Sequence, residues 1–401
     1  MRPAPRSLML AALALMGCSG DSEPAAATTP PTGILLEKTQ HVDVTPVVAG
    51  AVVKGHRPDV AALGNRLYLA YDALKSSAGP GQVDVSMLVL DADLGQVSFT
   101  QGLFKGAASD SMTTDIRTAT DGSKIWYAIE SGAPAQCECI NHLSYAVYSP
   151  QDFQNAELIK EAIATGCPSS MLHMNGCSQT LIDSTFAVDD PTPFVLGSDR
   201  CIIIRKNAGL VLRALCFDAA GGATIDHTIE AGSSIPLMKQ FSQNAVAVLD
   251  GTPWLFTGAE TEPQMLGGLS SVYALRLTSD LAAIDGTVAE ILPGTSDVFN
   301  TRVVAARQYD HYVVLTYVRV TDKGSARTGR IAAFDIKDGF KKVADAVAID
   351  HGIADDHLPM EILGDRAYVF HQAEDTDSAI VAEVFKLRQA GSRLPRREEG
   401  S

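Results

Sequence analysis

Along most of the chain apolar and polar positions alternate, and one arrangement returns six times. A short apolar strand opens on a charged or polar residue, turns at a Gly-, Asp- or Asn-rich tip, and comes back as a second β-rich strand. The clearest copies are HRPDVAALGNRLYLAY from His56, TDIRTATDGSKIWYAI from Thr114, TRVVAARQYDHYVVLTY from Thr301 and DHLPMEILGDRAYVF from Asp356. Weaker copies are DPTPFVLGSDRCIII from Asp190 and SQNAVAVLDGTPWLFT from Ser242. After four of these pairs comes a further apolar run closed by an Asp- or Gly-rich turn: VSMLVLDADLGQVSF, LVLRALCFDAAGGATI, VYALRLTSDLAAIDGTV and RIAAFDIKDGFKKV. The period of two in Val272-Tyr273-Ala274-Leu275-Arg276-Leu277 marks these runs as third and fourth strands.

Aligning the tips puts Arg57, Asp115, Pro191, Asn244, Arg302 and His357 at equivalent places, at intervals of 58, 76, 53, 58 and 55 residues. A propeller blade of four short strands takes roughly 40–50 residues, which fits these intervals once loops are added. The interval of 76 is too short for two blades and reads as one blade plus an insertion. By its repeat period the chain resembles six-bladed β-propellers over residues 34–390, so the expected fold class is all-β, with four-stranded blades. A pair of β-sandwiches is the competing architecture, but it gives no reason for a recurring period. The last unit runs out after AIVAEVFKLR, one strand short, and residues near Leu35 to Val48 are expected to supply that strand and close the ring.

Arg2 and Arg6 precede a short apolar stretch, Leu8 to Met16, which reads as an export signal and falls short of the roughly 20 residues that span a bilayer. The string Leu15-Met16-Gly17-Cys18 resembles the lipobox of bacterial lipoproteins, although Met16 departs from the small residue more usual there. The alternative is an ordinary signal peptide with an incidental cysteine. The resemblance implies that residues 1–17 are removed and that Cys18 becomes the lipidated first residue. Ser19 in place of Asp points, within that family, to the outer membrane. Residues 18–33, rich in Pro, Ala, Thr and Ser, are expected to be a flexible tether, and residues 391–401 a disordered charged tail.

Composition adds exclusions. Hydrophobic residues make up 46% and charged residues 20%, enough for one large core. A net charge of −15 and a pI near 5.0 argue against nucleic acid and anionic membrane surfaces as partners, since both require basic patches. With Cys18 assigned to lipid, the other six cysteines, Cys137, Cys139, Cys167, Cys177, Cys201 and Cys216, fit disulfides in an exported chain. In CIIIRKNAGLVLRALC a turn centred on Ala208-Gly209 sets Cys201 opposite Cys216, whereas a three-residue turn would set Leu215 there. The connectivity of the remaining four stays open. Their spacing is not that of a zinc ribbon, and His142 and His173 lie nearby without regular offset, so no metal is expected.

Candidate chemistry gathers where the repeats begin. A propeller would bring His56, Arg57, Asp59, Asp115, Arg117, Asp190, Arg302, Asp356 and His357 to one channel mouth. The arginines could clamp a carboxylate or phosphate and the carboxylates could serve as acid and base, or the ring could simply pair with itself. Sialidase Ser-x-Asp-x-Gly-x-Thr-Trp boxes are absent, as are the repeated Trp motifs of quinone-dependent dehydrogenases: only Trp126 and Trp254 occur. No nucleophile elbow, zincin helix or P-loop appears, and DADLG at Asp91 and DIKDG at Asp335 read as tight turns rather than calcium loops. The sequence names no reaction, cofactor or oligomeric state. It leans to a non-enzymatic, lipid-anchored module that binds a protein or glycan at the cell surface or in the periplasm. The alternative is a carbohydrate hydrolase or lyase at the channel mouth.

Overall fold

Each paired run of the sequence becomes the inner half of a four-stranded antiparallel sheet, and six such sheets close into a ring, a six-bladed β-propeller. The computed structural model describes residues 33–53, 55–74, 83–101, 112–132, 141–149, 152–166, 191–206, 211–230, 240–260, 270–295, 298–321, 326–349, 353, 357–373 and 379–389. Preceding the blades are β1 (Ile34–Asp43) and a small hairpin, β2 (Val47–Val48) with β3 (Ala51–Val52). Blade 1 holds β4 (Gly55–Leu63), β5 (Arg66–Leu74), β6 (Val83–Asp91) and β7 (Gln96–Thr100). In blade 2 are β8 (Met112–Thr120), β9 (Ile125–Gly132), β10 (Asn141–Ser149) and β11 (Asp152–Gly166), and in blade 3 β12 (Thr192–Leu196), β13 (Asp199–Lys206), β14 (Val211–Phe217) and β15 (Ala223–Glu230). Blade 4 comprises β16 (Gln240–Leu249), β17 (Thr252–Glu260), β18 (Ser270–Leu277) and β19 (Ile284–Leu292). Blade 5 comprises β20 (Val298–Tyr309), β21 (Tyr312–Thr321), β22 (Ala326–Asp335) and β23 (Lys341–Ile349). Blade 6 has β24 (Met360–Leu363), β25 (Arg366–Gln372) and β26 (Ile380–Gln389), completed by β1 on its outer edge.

The closing strand is the one expected from the N-terminus. It pairs antiparallel with β26 from Ile34↔Gln389 to Asp43↔Val381, with an irregularity at Lys38/Gln40, so blade 6 gains its outer strand and the two ends of the ring are joined. It stops at Asp43, and Val47 and Val48, expected within it, belong instead to the β2–β3 hairpin.

Six buried apolar clusters among the described residues correspond to the six gaps between neighbouring blades. Middle strands are packed on both faces, which explains the unbroken apolar run Tyr312-Val313-Val314-Leu315-Thr316-Tyr317-Val318, buried throughout. Outer strands such as β23 face water on one side and alternate accordingly. Where blades 5 and 6 meet, a Cβ on Gly329 would lie 3.1 Å from Leu358 and 3.3 Å from Ile349, so a larger residue would force the blades apart.

The third and fourth strands of blade 2 were not legible. Ser149 pairs with Asp152 across Pro150-Gln151, without the glycine that marks the corresponding turns of blades 1, 3 and 5, and Glu157-Leu158-Ile159-Lys160-Glu161-Ala162-Ile163-Ala164 is made of good helix formers. Pairing with β10 overrides that local preference. The longest repeat interval is thus one blade plus residues 167–190, which lie outside the described set.

Cys201 and Cys216 stand directly opposite each other in β13 and β14 and form a disulfide. Cys18, Cys137, Cys139, Cys167 and Cys177 lie outside the described residues.

Candidate functional site: the central channel

Every inner strand enters its blade at one end of the ring, the mouth, and runs to a hairpin tip at the other. β4, β8, β12, β16, β20 and β24 touch their neighbours in that order around the axis. Near the mouth the inner strands depart from regular pairing, with shifts at His56/Asp59, Thr113/Asp115, Phe241/Asn244 and Val298/Asn300. Such bulges end pairing and re-aim side chains. In blade 1 the bulge holds Arg57 at φ +50°, a left-handed conformation that costs a non-glycine residue about 1–2 kcal/mol.

Five inner strands line one pocket on the axis, through Asp59, Arg117, Thr118, Thr192, Asn244 and Arg307 together with Pro191, Pro193, Ala245, Val246, Val304 and Ala305. Its cavity volume is about 30 Å³, room for roughly two waters. The polar members are nearly all buried: Asp59 is 8% exposed, Arg117 6%, Thr118 2% and Asn244 6%.

Asp59 crosses from blade 1 to accept the Thr118 backbone N–H at 2.5 Å. Arg307 reaches from blade 5 to blade 6, where its Nε donates to Glu361 Oε1 at 2.7 Å and its Nη2 donates to the same oxygen. Burial opposes the Arg307 charge, but the adjacent Glu361 carboxylate, and Asp59 with it, outweigh that and raise the pKa. Thr192 Oγ1 donates to the Asn244 carbonyl at 3.1 Å, tying blades 3 and 4. Among the described residues, two buried oxygens of lining residues, Thr118 Oγ1 and Asn244 Oδ1, have no hydrogen-bond partner. An unsatisfied buried polar atom costs about 1–3 kcal/mol, a cost that a water or a ligand group taken into the cavity offsets where it reaches these oxygens.

Of the nine residues expected at the mouth, the structure brings Asp59 and Arg117 into the pocket. His56, Arg57 and Arg302 sit half-buried at the mouth ends of β4 and β20, outside the pocket lining, and His357 is buried just before β24. Asp115 lies on β8, with its side chain outside the described set, and Asp190 and Asp356 are outside it altogether. The expected ring thus splits, because the bulges turn successive residues to different sides. Thr118, Arg307 and Glu361 were missed, although a signal existed. Counting back from the tips, all three occupy the same place, two residues before the last residue of their inner strand. Asp91 and Asp335 are turn residues, as their sequences suggest: Asp91 Oδ1 accepts the Asp93 and Gly95 N–H groups, and Asp335 Oδ1 that of Lys337. Among the described residues no three His, Cys, Asp or Glu side chains are grouped to hold a metal ion.

No protein-family model and no curated protein matches this chain. Solved structures do superpose on it. A glycosyl hydrolase from Bacteroides ovatus aligns over 88% of this chain and 93% of its own, at 12% identity and a TM-score of 0.42. An exo-1,5-alpha-L-arabinanase from a bovine ruminal metagenomic library aligns over 74% and 97%, at 12% and 0.45. The sialidase of Trypanosoma rangeli aligns over 87% of this chain but 59% of its own, at 12% and 0.48. None of these likenesses transfers an activity or a residue role.

Proposed function

We propose that the protein recognises carbohydrate at its central channel, taking the polar end of a glycan into the pocket while the rest of the ligand lies across the mouth. The observation that carries this reading is the pair of unpartnered buried oxygens, Thr118 Oγ1 and Asn244 Oδ1, on a wall that also presents Asp59 and Arg117. A hydroxyl-rich group both donates and accepts, which is what such a mixed wall asks for. With room for about two waters, the pocket admits a hydroxymethyl or carboxylate group and not a whole ring. This narrows the expected protein-or-glycan partner to a glycan.

Hydrolysis of carbohydrate is the second reading. It rests on Asp59, which lines the pocket, and Glu361, which is bonded to the pocket's Arg307, two carboxylates that both act on one guanidinium.

Export on a lipid anchor at Cys18 is part of the same proposal. The Cys201–Cys216 disulfide supports an oxidising compartment. The mass of the mature N-terminal peptide tests the anchor.

A glycan microarray probed with the wild type, Asn244→Ala and Arg117→Met tests the channel. Binding confined to one class of glycan terminus and lost in both variants is the expected result; unchanged binding in the variants contradicts it. Release of reducing sugar from the bound glycan, abolished by Glu361→Gln, would make the second reading the right one.

A further inference from the structure

Between the closing strand β1 and the first blade, the β2–β3 hairpin breaks several local rules together. Val47 is 54% exposed, Val48 41% and Val52 56%. Among the described residues the other exposed large hydrophobics, Leu35, Val97 and Val347, stand singly on the outer strands β1, β7 and β23. From Val44 to Val53 the sequence carries no ionisable residue, and its one polar side chain, Thr45, is already bound to Asp43 and to the Ile380 N–H. The turn is of the two-residue type with positive φ at both centres, Ala49 at +50° and Gly50 at +83°. Asn, Asp or Gly normally fills the first of these places, and here the chain keeps an apolar residue in a conformation that disfavours it.

Pairing of Val47 with Val52 and of Val48 with Ala51 puts the first pair on one face of the ribbon and the second on the other. All four residues are exposed, so the hairpin is apolar on both sides. A groove on a protein partner would cover one face and leave the other in water. A lipid surface surrounds an inserted finger and covers both. We propose that this hairpin is a membrane-contact finger that dips into the interfacial zone of a bilayer beside the channel mouth.

The geometry limits the depth. A two-stranded ribbon keeps outward-facing N–H and C=O groups, which the hydrocarbon core cannot satisfy, so the finger stops at the headgroup boundary. Its three-residue reach, about 10 Å, matches the 5–10 Å depth of interfacial segments. The stem is firm enough to push, since Val44 N–H donates to the Ile380 carbonyl and Val53 N–H to the Pro46 carbonyl, and Val44 and Val53 pack into the core between blades 6 and 1. With a net charge of −15 the preferred surface is zwitterionic. The finger acts whether or not Cys18 is lipidated.

The test places a reporter on the finger itself. Val48→Trp is made in the full chain, and its emission is followed with phosphatidylcholine vesicles brominated on their acyl chains; Val97→Trp, on an outer strand, serves as the reference. Quenching and a blue shift specific to V48W are expected, and adding Val47→Asp and Val52→Asp lowers the vesicle partition at least about 10-fold. Equal quenching of V48W and V97W overturns the proposal, as does vesicle binding with V48W emission unchanged. A blue shift that follows protein concentration without vesicles also overturns it, because a second copy of the chain would then be the partner.

Discussion

The hairpin tips and the channel wall are built by the same six inner strands, yet they treat polar groups in opposite ways. At the tips, polar side chains close on one another across blades. Arg200 of blade 3 directs Nε and Nη2 at Asp121 Oδ2 of blade 2, at 3.0 and 2.6 Å. Gln308 of blade 5 donates to Asp250 of blade 4 at 3.0 Å, and Tyr368 of blade 6 donates to the Ala92 carbonyl of blade 1 at 2.7 Å. On the channel wall Thr118 and Asn244 keep buried oxygens with no partner. Satisfied polar groups at the tips hold the ring shut; the unpartnered oxygens in the channel fit the binding site proposed there.

If the tips are structural, breaking one of their buried pairs should have the largest effect. Arg200→Ala leaves Asp121 nearly buried without its cation and is expected to cost about 3–5 kcal/mol in urea unfolding. Burial alone would raise the Asp121 carboxyl, but Arg200 and the N–H donors of Ser123 and Lys124 outweigh it and hold the pKa well below the ordinary carboxylate range. The stability it supplies is therefore complete above about pH 4 and lost as pH falls toward the depressed value. In R200A most of that acid-sensitive part should vanish, which urea midpoints at pH 7 and pH 3 will show.

Next in size is the disulfide. A bridge closing a separation of 15 residues contributes about 3 kcal/mol in the chain-entropy picture, so Cys201→Ala with Cys216→Ala should lower stability by that order without altering the proposed glycan binding. A loss of binding with no loss of stability would move the functional site toward blade 3.

A smaller effect belongs to the seam that closes the ring. Glu383 on β26 is buried, and Lys38 Nζ at 2.9 Å, His41 Nδ1 at 2.7 Å and His371 Nε2 at 3.6 Å surround it. Burial pushes its carboxyl up, but His371, His41 and Lys38 together bring it below its ordinary value. Its contribution is thus present at neutral pH and fades in acid, as pH drops through that lowered value. Glu383→Gln should cost about 1–2 kcal/mol at pH 7 and less at pH 3, read as the difference between the two urea midpoints.

The same contrast explains what the sequence disclosed. Tips are written locally: Gly64, Asp121, Gly197, Asp250, Asp310 and Gly364 mark turns that need particular backbone angles or an Asp acceptor, so the repeat and its blade count could be read from residue types alone. β1 could be assigned to blade 6 because that unit visibly lacked a strand. β10 and β11 could not, since Ser149-Pro150-Gln151-Asp152 carries no glycine and helix formers fill β11. The channel was half legible. Asp59 and Arg117 stood out as charges at repeat starts, whereas Thr118 and Asn244 gain meaning only from burial without partners, and Arg307 only from facing Glu361 across a blade boundary.

The most direct measurement is the urea midpoint of Thr118→Val. Valine keeps the shape of threonine and removes the oxygen that no group satisfies. The channel as a site held polar for a ligand predicts a variant about 0.5–1 kcal/mol more stable than the wild type that no longer binds its glycan. A variant less stable than the wild type by a similar amount would show that Thr118 Oγ1 serves the fold, and would contradict the account.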